Sequence, residues 1–225
     1  MILALSIALL MSVRDGLPTG DLESQLAQLS MADLETALND DNSKKTFWIN
    51  IYNAYFQLLA TREKLVKPAI FNERIIAIAG AKFSLDDIEH GILRRYRWKW
   101  SLGYLPQIFP GKLIRKLAVH AVDYRIHFAL NCGAKSCPPI AFYAAEHLDQ
   151  QLNIARNGFL QAETEIDVAS KTLHVTALFQ WFRADFGGKR GLRRILSQAL
   201  QMDLHGYHII VQKYDWSVQL HHFLQ

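Results

Sequence analysis

The stretch over residues 44–64 constrains the fold most, because its apolar positions recur at the spacing of an α-helix. Those positions are Phe47, Ile51, Tyr55, Leu58 and Leu59. A second stripe at the same periodicity is polar and consists of Asn50, Asn53 and Gln57. Asparagine is a poor residue for a helix interior, so its place in an aromatic-rich helix predicts buried hydrogen bonds. Those bonds either serve a site or only hold neighbouring backbone in place.

Other signals along the chain give the order of the elements. Capping boxes at residues 30–33 and 84–87 each open a helix. Periodicity predicts further helices over residues 113–122, 144–159, 177–186 and 192–201, and strands over residues 172–176 and 207–213. Helices come first and mixed elements follow, which predicts an α+β fold: a helix-rich single domain over residues 1–225 with a small, mainly antiparallel sheet. Within it we expect an N-terminal helical part over residues 1–43 and a core over residues 44–225.

The composition is that of a chain able to bury a full core. Half of the 225 residues are apolar, a fifth are charged, and the formal net charge is +4. This weak basic bias does not specify a nucleic-acid partner. Two cysteines are too few for a secreted disulfide scaffold.

The apolar opening MILALSIALLMSV is either a buried first helix or the core of a signal segment. It lacks a basic flank and a small-residue cleavage site, and it is too short for a transmembrane span. We therefore expect a buried helix and a cytoplasmic location, while a signal segment stays open.

The segment over residues 125–140, RIHFALNCGAKSCPPI, combines a histidine, two thiols and a diproline. Alternation over residues 124–132 predicts a strand with Cys132 on its apolar face and His127 on its polar face. The breakers that follow would place Cys137 on a stiff, extended loop. A free thiol titrates at about pH 8.5, so a reactive Cys137 would need a positively charged neighbour. His127 is one candidate.

Three other roles stay open for the thiols. Cysteine is among the most buried residue types, and Cys132 would lie in the core because it falls on the apolar face of the predicted strand. A disulfide between Cys132 and Cys137 is a second role. A zinc site completed by His90 and His127 is a third, although a single CxxxxC spacing is a weak zinc signature. We expect a site without metal or cofactor.

The helix opened by the second capping box carries two further polar candidates. Its inward face consists of Leu85, Ile88 and Ile92. Glu89 and His90 lie beside that face. Neighbours in sequence point about 100° apart on a helix, so Glu89 and His90 each need a partner elsewhere in the fold.

The stretch RRYRWKW over residues 94–100 mixes bases and aromatics, as single-strand nucleic-acid binders and membrane-surface binders do. Such side chains also pack over tryptophan at ordinary surfaces, so the stretch is no strong nucleic-acid signal. No GxGxxG, P-loop, HExxH or GxSxG pattern occurs, which argues against the common dinucleotide, NTPase, zincin and α/β-hydrolase classes.

Several blocks together resemble the domain family of unknown function numbered 547. The blocks are FWINIYNAY at residues 47–55, FSLDDIEHGILR at 83–94, RIHFALNCGAKSCPPI at 125–140, LFQWFRADFG at 178–187 and YDWS at 214–217. The resemblance implies that certain polar residues stand at motif positions: Asn50, Asn53, Glu89, His90, His127, Asn131, Cys132, Ser136, Cys137, Asp185 and Asp215.

The resemblance carries no established reaction. It leads us to expect a relation to papain-like or transglutaminase-like thiol enzymes. The family often continues its DWS motif with Leu-Asn, whereas this chain has Val218 and Gln219. A role for an asparagine at that place therefore cannot be transferred.

The leading hypothesis is a cysteine-dependent hydrolase or acyl transferase acting on an unknown small-molecule or peptide substrate. Its catalytic residues are Cys137, His127, His90, Glu89, Asn50 and Asn53. Cys137 attacks an acyl carbon and His127 or His90 takes its proton, while Glu89 orients an imidazole. Asn50 or Asn53 donates to the oxyanion. The competing hypothesis is a non-catalytic interaction module whose polar residues form a buried structural network.

Overall fold

The computed structural model describes residues 1–224 and has a helix-rich α+β fold, as the order of the sequence signals predicts. The α-helices of that part of the chain are α1 (Ile2–Arg14), α2 (Gly20–Gln28), α3 (Met31–Ala37), α4 (Asp41–Thr61), α5 (Ala69–Asn72), α6 (Lys112–Leu117), α7 (Leu148–Glu163), α8 (Leu178–Trp181) and α9 (Gly188–Leu200). Short 3₁₀ turns lie at Lys99–Ser101, Tyr124–Phe128 and Ala145–His147. Within residues 1–224, no helix combines the length and the apolar character needed to cross a bilayer.

The strands form two small sheets. They are β1 (Ile76–Ile78), β2 (Ala81–Phe83), β3 (Glu165–Asp167), β4 (Thr172–Val175) and β5 (His208–Val211). β1 pairs with β2 and β3 pairs with β4, both antiparallel, as the predicted sheet type requires. β4 also pairs with β5 in parallel. A parallel pair needs a crossover connection, and α8 and α9 lie in the chain between β4 and β5.

α4 is the central helix and begins slightly before the predicted start. The Asp40 carboxylate caps it by accepting a hydrogen bond from the backbone N–H of Ser43 at 2.7 Å. Every residue from Ser43 to Leu59 is buried, so protein surrounds this helix on all sides. α1 packs along it and buries Leu9 and Leu10 completely.

Buried apolar side chains fall into two clusters. The first surrounds α1 and α4 and includes Ile126 and Ala129. The second lies between α7, α9 and β4 and includes Phe128. The chain over residues 126–129 therefore contributes to both clusters and runs between them.

The predicted strand over residues 124–132 is wrong. The Asp123 carboxylate accepts a hydrogen bond from the backbone N–H of Arg125 at 3.1 Å and opens the 3₁₀ turn Tyr124–Phe128. Residues 129–132 follow without regular structure. His127 is buried there, although strand parity placed it on a polar face.

The predicted helix after Ser84 forms, but with a wider turn than an α-helix. The capping box is present, since the backbone N–H of Asp87 donates to the Ser84 hydroxyl at 3.0 Å. Residues Asp87–Leu93 form a π-helix that ends with the backbone N–H of Arg94 donating to Glu89 at 2.8 Å. A π-helical turn is rare and occurs frequently at functional sites.

Candidate functional site

A cavity of about 490 Å³ lies where the π-helix, the Cys132–Cys137 loop and α8 meet. The titratable side chains that line it include Glu89, His90, His127, Cys132 and Cys137. Much of the remaining wall is aromatic and includes Tyr52, Phe71, Trp181, Phe182, Tyr214 and Trp216. The structure thus brings four of the predicted site residues, Cys137, His127, His90 and Glu89, to one cavity.

Asn50 and Asn53 do not line this cavity. Both are fully buried in α4, and both hydrogen-bond the backbone of neighbouring segments. Asn50 donates to the carbonyl of Tyr143 at 2.9 Å and accepts from its N–H at 3.1 Å. Asn53 donates to the carbonyl of Ala129 at 2.9 Å and accepts from the N–H of Asn131 at 2.9 Å. In this geometry the two amides hold the segments beside the cavity, and their predicted role as oxyanion donors stays a prediction.

Asn131 and Gly133 fold the loop that carries the thiols. The Asn131 side chain donates to the carbonyl of Pro138 at 2.7 Å and accepts from the N–H of Gly133 at 2.8 Å. Gly133 has a φ of +70°, and a Cβ there would lie 2.5 Å from the Phe56 ring. Only glycine fits such a position without a shift of its surroundings. The folded loop brings Cys137 back against Cys132.

Cys137 is the more buried thiol, at 3% exposure, whereas Cys132 is partly exposed. This reverses the prediction that strand parity buries Cys132. Both thiols are free. The backbone N–H of Cys132 donates to the Cys137 sulfur at 3.0 Å, and the Tyr214 hydroxyl lies 3.1 Å from the same sulfur.

These contacts separate the acidities of the two thiols. Burial by itself would raise the pKa of Cys137, but the hydrogen bonds from Cys132 and Tyr214 outweigh it and lower this pKa to about 7. The hydrogen bond that the Cys132 thiol donates to the Cys137 sulfur, together with burial, raises the pKa of Cys132 well above its usual value. Cys137 is therefore the more acidic thiol of the pair, and within residues 1–224 no imidazole hydrogen-bonds its sulfur.

A buried ion pair holds His127. Arg94 is fully buried, and its Nε donates to Oδ2 of Asp185 at 2.6 Å. Nε2 of His127 lies 2.9 Å from the same oxygen, and the imidazole stacks on Phe182 at 3.8 Å between ring centroids. Burial lowers the pKa of His127, so the neutral ring donates through Nε2 and keeps Nδ1 as its acceptor.

Arg94 also joins the π-helix to this pair. Its Nη1 lies 2.8 Å from Nδ1 of His90, and because arginine can only donate, His90 accepts and is neutral. Burial lowers the pKa of His90 to about 3. Glu89 accepts a hydrogen bond from the Tyr52 hydroxyl at 3.2 Å and lies 3.8 Å from Nδ1 of His90. Asp185, and not Glu89, is the carboxylate hydrogen-bonded to an imidazole of the site.

Three aromatic rings in mutual contact form one wall of the cavity. The Trp181 ring lies 4.8 Å from that of Tyr214 and 5.3 Å from that of Trp216. The Lys67 ammonium sits 3.9 Å above the Trp216 ring. Such a wall suits an apolar or aromatic molecule, with a cation at the rim. Among residues 1–224, no three His, Cys, Asp or Glu side chains are grouped to hold a metal ion.

Sequence reasoning missed Arg94, Asp185 and Tyr214 as site residues. Asp185 stands at a motif position of the resemblance, which is the only signal that could have singled it out. Arg94 is buried, but the other basic residues of its run are not, so the run gives no sign that Arg94 belongs to a site. Tyr214 begins the YDWS block, but nothing in that block indicates a contact with a thiol that lies 77 residues earlier in the chain.

Comparison with known proteins gives one match. The family model described as "Protein of unknown function, DUF547" matches residues 36–160. No curated protein and no solved structure matches the chain. The expected relation to papain-like or transglutaminase-like enzymes stays a prediction.

Proposed function

The chain belongs to the DUF547 family of proteins of unknown function, and we propose that it is a cysteine-dependent hydrolase or acyl transferase with Cys137 as its nucleophile. The observation that carries the proposal is the hydrogen-bonded Cys137 sulfur on the wall of an apolar cavity. A thiol with a pKa of about 7 supplies a substantial fraction of thiolate at neutral pH.

In the proposed reaction the Cys137 sulfur forms a bond to an acyl carbon, and the bond from that carbon to its oxygen or nitrogen leaving group breaks. No imidazole hydrogen-bonds the sulfur, so the proton lost by the thiol passes by way of water in the cavity to Nδ1 of His127 and leaves with the departing alcohol or amine. Water or another acceptor then attacks the thioester, and the thiolate is restored. Asp185 keeps the His127 ring in the tautomer that this proton transfer requires.

The lining of the cavity supports an acyl substrate with an apolar or aromatic body. Trp181, Trp216 and Phe182 offer flat apolar surfaces, and the polar groups of the lining include Glu89, His90 and His127. A mainly apolar pocket with a few convergent polar groups is typical of a small-molecule site.

The test is a series of p-nitrophenyl esters of increasing acyl length, followed by release of p-nitrophenolate and by intact mass spectrometry. We expect a burst of p-nitrophenolate and an acyl adduct on Cys137. Cys137→Ala should abolish both, whereas Cys132→Ala should still form the adduct. Absence of any adduct across the series, or an adduct on Cys132 alone, would refute the proposal.

A second candidate is a non-catalytic interaction module, and the buried asparagines favour it. Asn50, Asn53 and Asn131 all hydrogen-bond backbone groups, so three of the polar motif residues have a structural task. In that case Cys137→Ala would change no activity, and the thiol pair would only fill the space under Tyr214.

A further inference from the structure

Residues 95–116, which we call the aromatic-basic segment, leave an apolar surface uncovered. Ile108 and Phe109 are 82% and 92% exposed, and Trp100 is 76% exposed. Trp98, Leu102, Tyr104 and Leu105 add further exposed apolar area in the same segment. Scattered exposed apolar residues are ordinary, but a contiguous patch marks an interaction surface.

The charge of this segment is of one sign. It contains six Lys and Arg residues and no Asp or Glu. Lys99 and Lys116 pair with acids elsewhere, namely Asp86 and Glu35. Within residues 1–224, Arg95, Arg97, Lys112 and Arg115 take part in no ion pair. Apolar side chains flanked by unpaired cations complement a partner whose surface carries negative charges and whose interior, just below that surface, is apolar.

We propose that the aromatic-basic segment docks the protein on the surface of a bilayer that contains anionic lipids. Ile108 and Phe109 insert between the headgroups, and the arginines contact the lipid phosphates. Tryptophan and tyrosine favour the depth of the headgroups, which fits the exposed Trp98, Trp100 and Tyr104 in the same segment as the inserted tip, Ile108 and Phe109.

The chemistry of the tip argues against two other occupants. Single-stranded nucleic acid would stack on the aromatic and guanidinium planes of the segment, but it would leave the exposed aliphatic Ile108, Leu105 and Leu102 uncovered, whereas a bilayer buries both kinds of side chain. A second copy of this chain docked through the same segment would bring two acid-free, cationic surfaces together, which repel.

The docking surface adjoins the cavity, because Lys99, Trp100 and Leu102 belong to both. On a bilayer the mouth of the cavity would therefore lie near the lipid headgroups. This inference does not depend on the thiol chemistry proposed above, and its test measures binding alone.

The test is flotation of the full chain with phosphatidylcholine vesicles that contain phosphatidylglycerol, beside vesicles of phosphatidylcholine alone. We expect flotation with the anionic vesicles only, and a decrease of binding as salt is raised. Ile108→Ser with Phe109→Ser should lower the bound fraction at least about tenfold. Val168→Ser, at a 69% exposed apolar residue far along the chain, is the matched control and should bind like the parent.

A second pair of substitutions tests the charges. Arg95→Gln with Arg115→Gln, both at exposed positions, should weaken flotation and make it less sensitive to salt. No flotation of the parent chain, or equal flotation of the Ile108→Ser and Phe109→Ser variant, would overturn the proposal. Two further results would also overturn it, each in a parent chain that does not bind vesicles. In one, these substitutions convert a dimer to a monomer in sedimentation velocity; in the other, they abolish binding of a polyuridine oligonucleotide.

Discussion

At the scale of single residues, Cys137 is held in a setting that favours its ionised form. Burial would raise its pKa, but hydrogen bonds from Cys132 and Tyr214 lower it to about 7. We expect iodoacetamide to alkylate Cys137 before Cys132 at neutral pH, with a rate that rises as pH increases through about 7. Peptide mapping by mass spectrometry at a series of pH values measures both rates.

Tyr214→Phe provides the control, because it removes one hydrogen bond to the sulfur and keeps the ring. The alkylation profile of Cys137 should then move to higher pH. Faster labelling of Cys132 in the parent chain would mean that exposure, and not ionisation, decides which thiol reacts.

His90 makes the fold sensitive to acid. Burial, followed by the nearby Arg94, lowers its pKa from 6.5 to about 3. Between these values the unfolded chain binds a proton that the folded chain does not, so the stability contributed above pH 6.5 is lost as pH falls. This group alone should lower the free energy of unfolding by about 1.4 kcal/mol for each pH unit in that window.

Urea melts between pH 7 and pH 4 measure this dependence. His90→Gln should make it shallower, whereas His205→Gln, at an exposed histidine, should leave it unchanged. If the two variants show the same dependence, His90 is not the buried neutral group that the contact with Arg94 requires.

At the scale of elements, Asn53 ties α4 to the segment that enters the thiol loop. Asn53→Ala would strand the carbonyl of Ala129 and the N–H of Asn131, both buried. An unsatisfied buried group costs about 1 to 3 kcal/mol, so we expect a loss of at least about 2 kcal/mol in denaturant melts. Asn42→Ala, at an exposed position in the first turn of the same helix, should lose far less. Equal losses would contradict the structural role of Asn53.

Elements also differ in how far the sequence predicts them. α4 could be predicted because its apolar period and its polar stripe both fit a helix. Residues 124–132 could not, since Ile126 and Phe128 alternate with the polar Arg125 and His127 for a different reason: the two apolar side chains enter two separate clusters. The motif blocks predict that Cys137, His127 and His90 belong to one site, and all three line the same cavity. The bond from His127 to Asp185 spans 58 residues, and no local pattern indicates it.

At the scale of the whole molecule, Gly103 connects the aromatic-basic segment to the buried ion pair. Its φ is +86°, and a Cβ there would collide with the Asp185 carboxylate and lie 3.0 Å from Nη2 of Arg94. Gly103→Ala should therefore lose at least about 1 kcal/mol of stability through the left-handed backbone alone, and more through the collision. Thermal and urea melts measure the loss.

Gly158→Ala is the matched control, because this glycine lies in α7 with open space around its Cα. In a helix interior alanine is favoured over glycine by roughly 0.5 to 1 kcal/mol, so this variant should gain stability. A neutral Gly103→Ala would show that residues 95–116 can move away from Arg94 and Asp185 without loss.

The position of the cavity relative to the two apolar clusters has a thermodynamic consequence. Leu130 belongs to the first cluster, Leu178 belongs to the second, and both line the cavity. A molecule bound there would touch both halves of the interior at once and act as a non-covalent cross-link between them. Its binding free energy would add to the free energy of unfolding. Tight ligands should therefore raise the melting temperature in proportion to the logarithm of their concentration. A thermal-shift screen therefore offers a way to find ligands before any reaction is known.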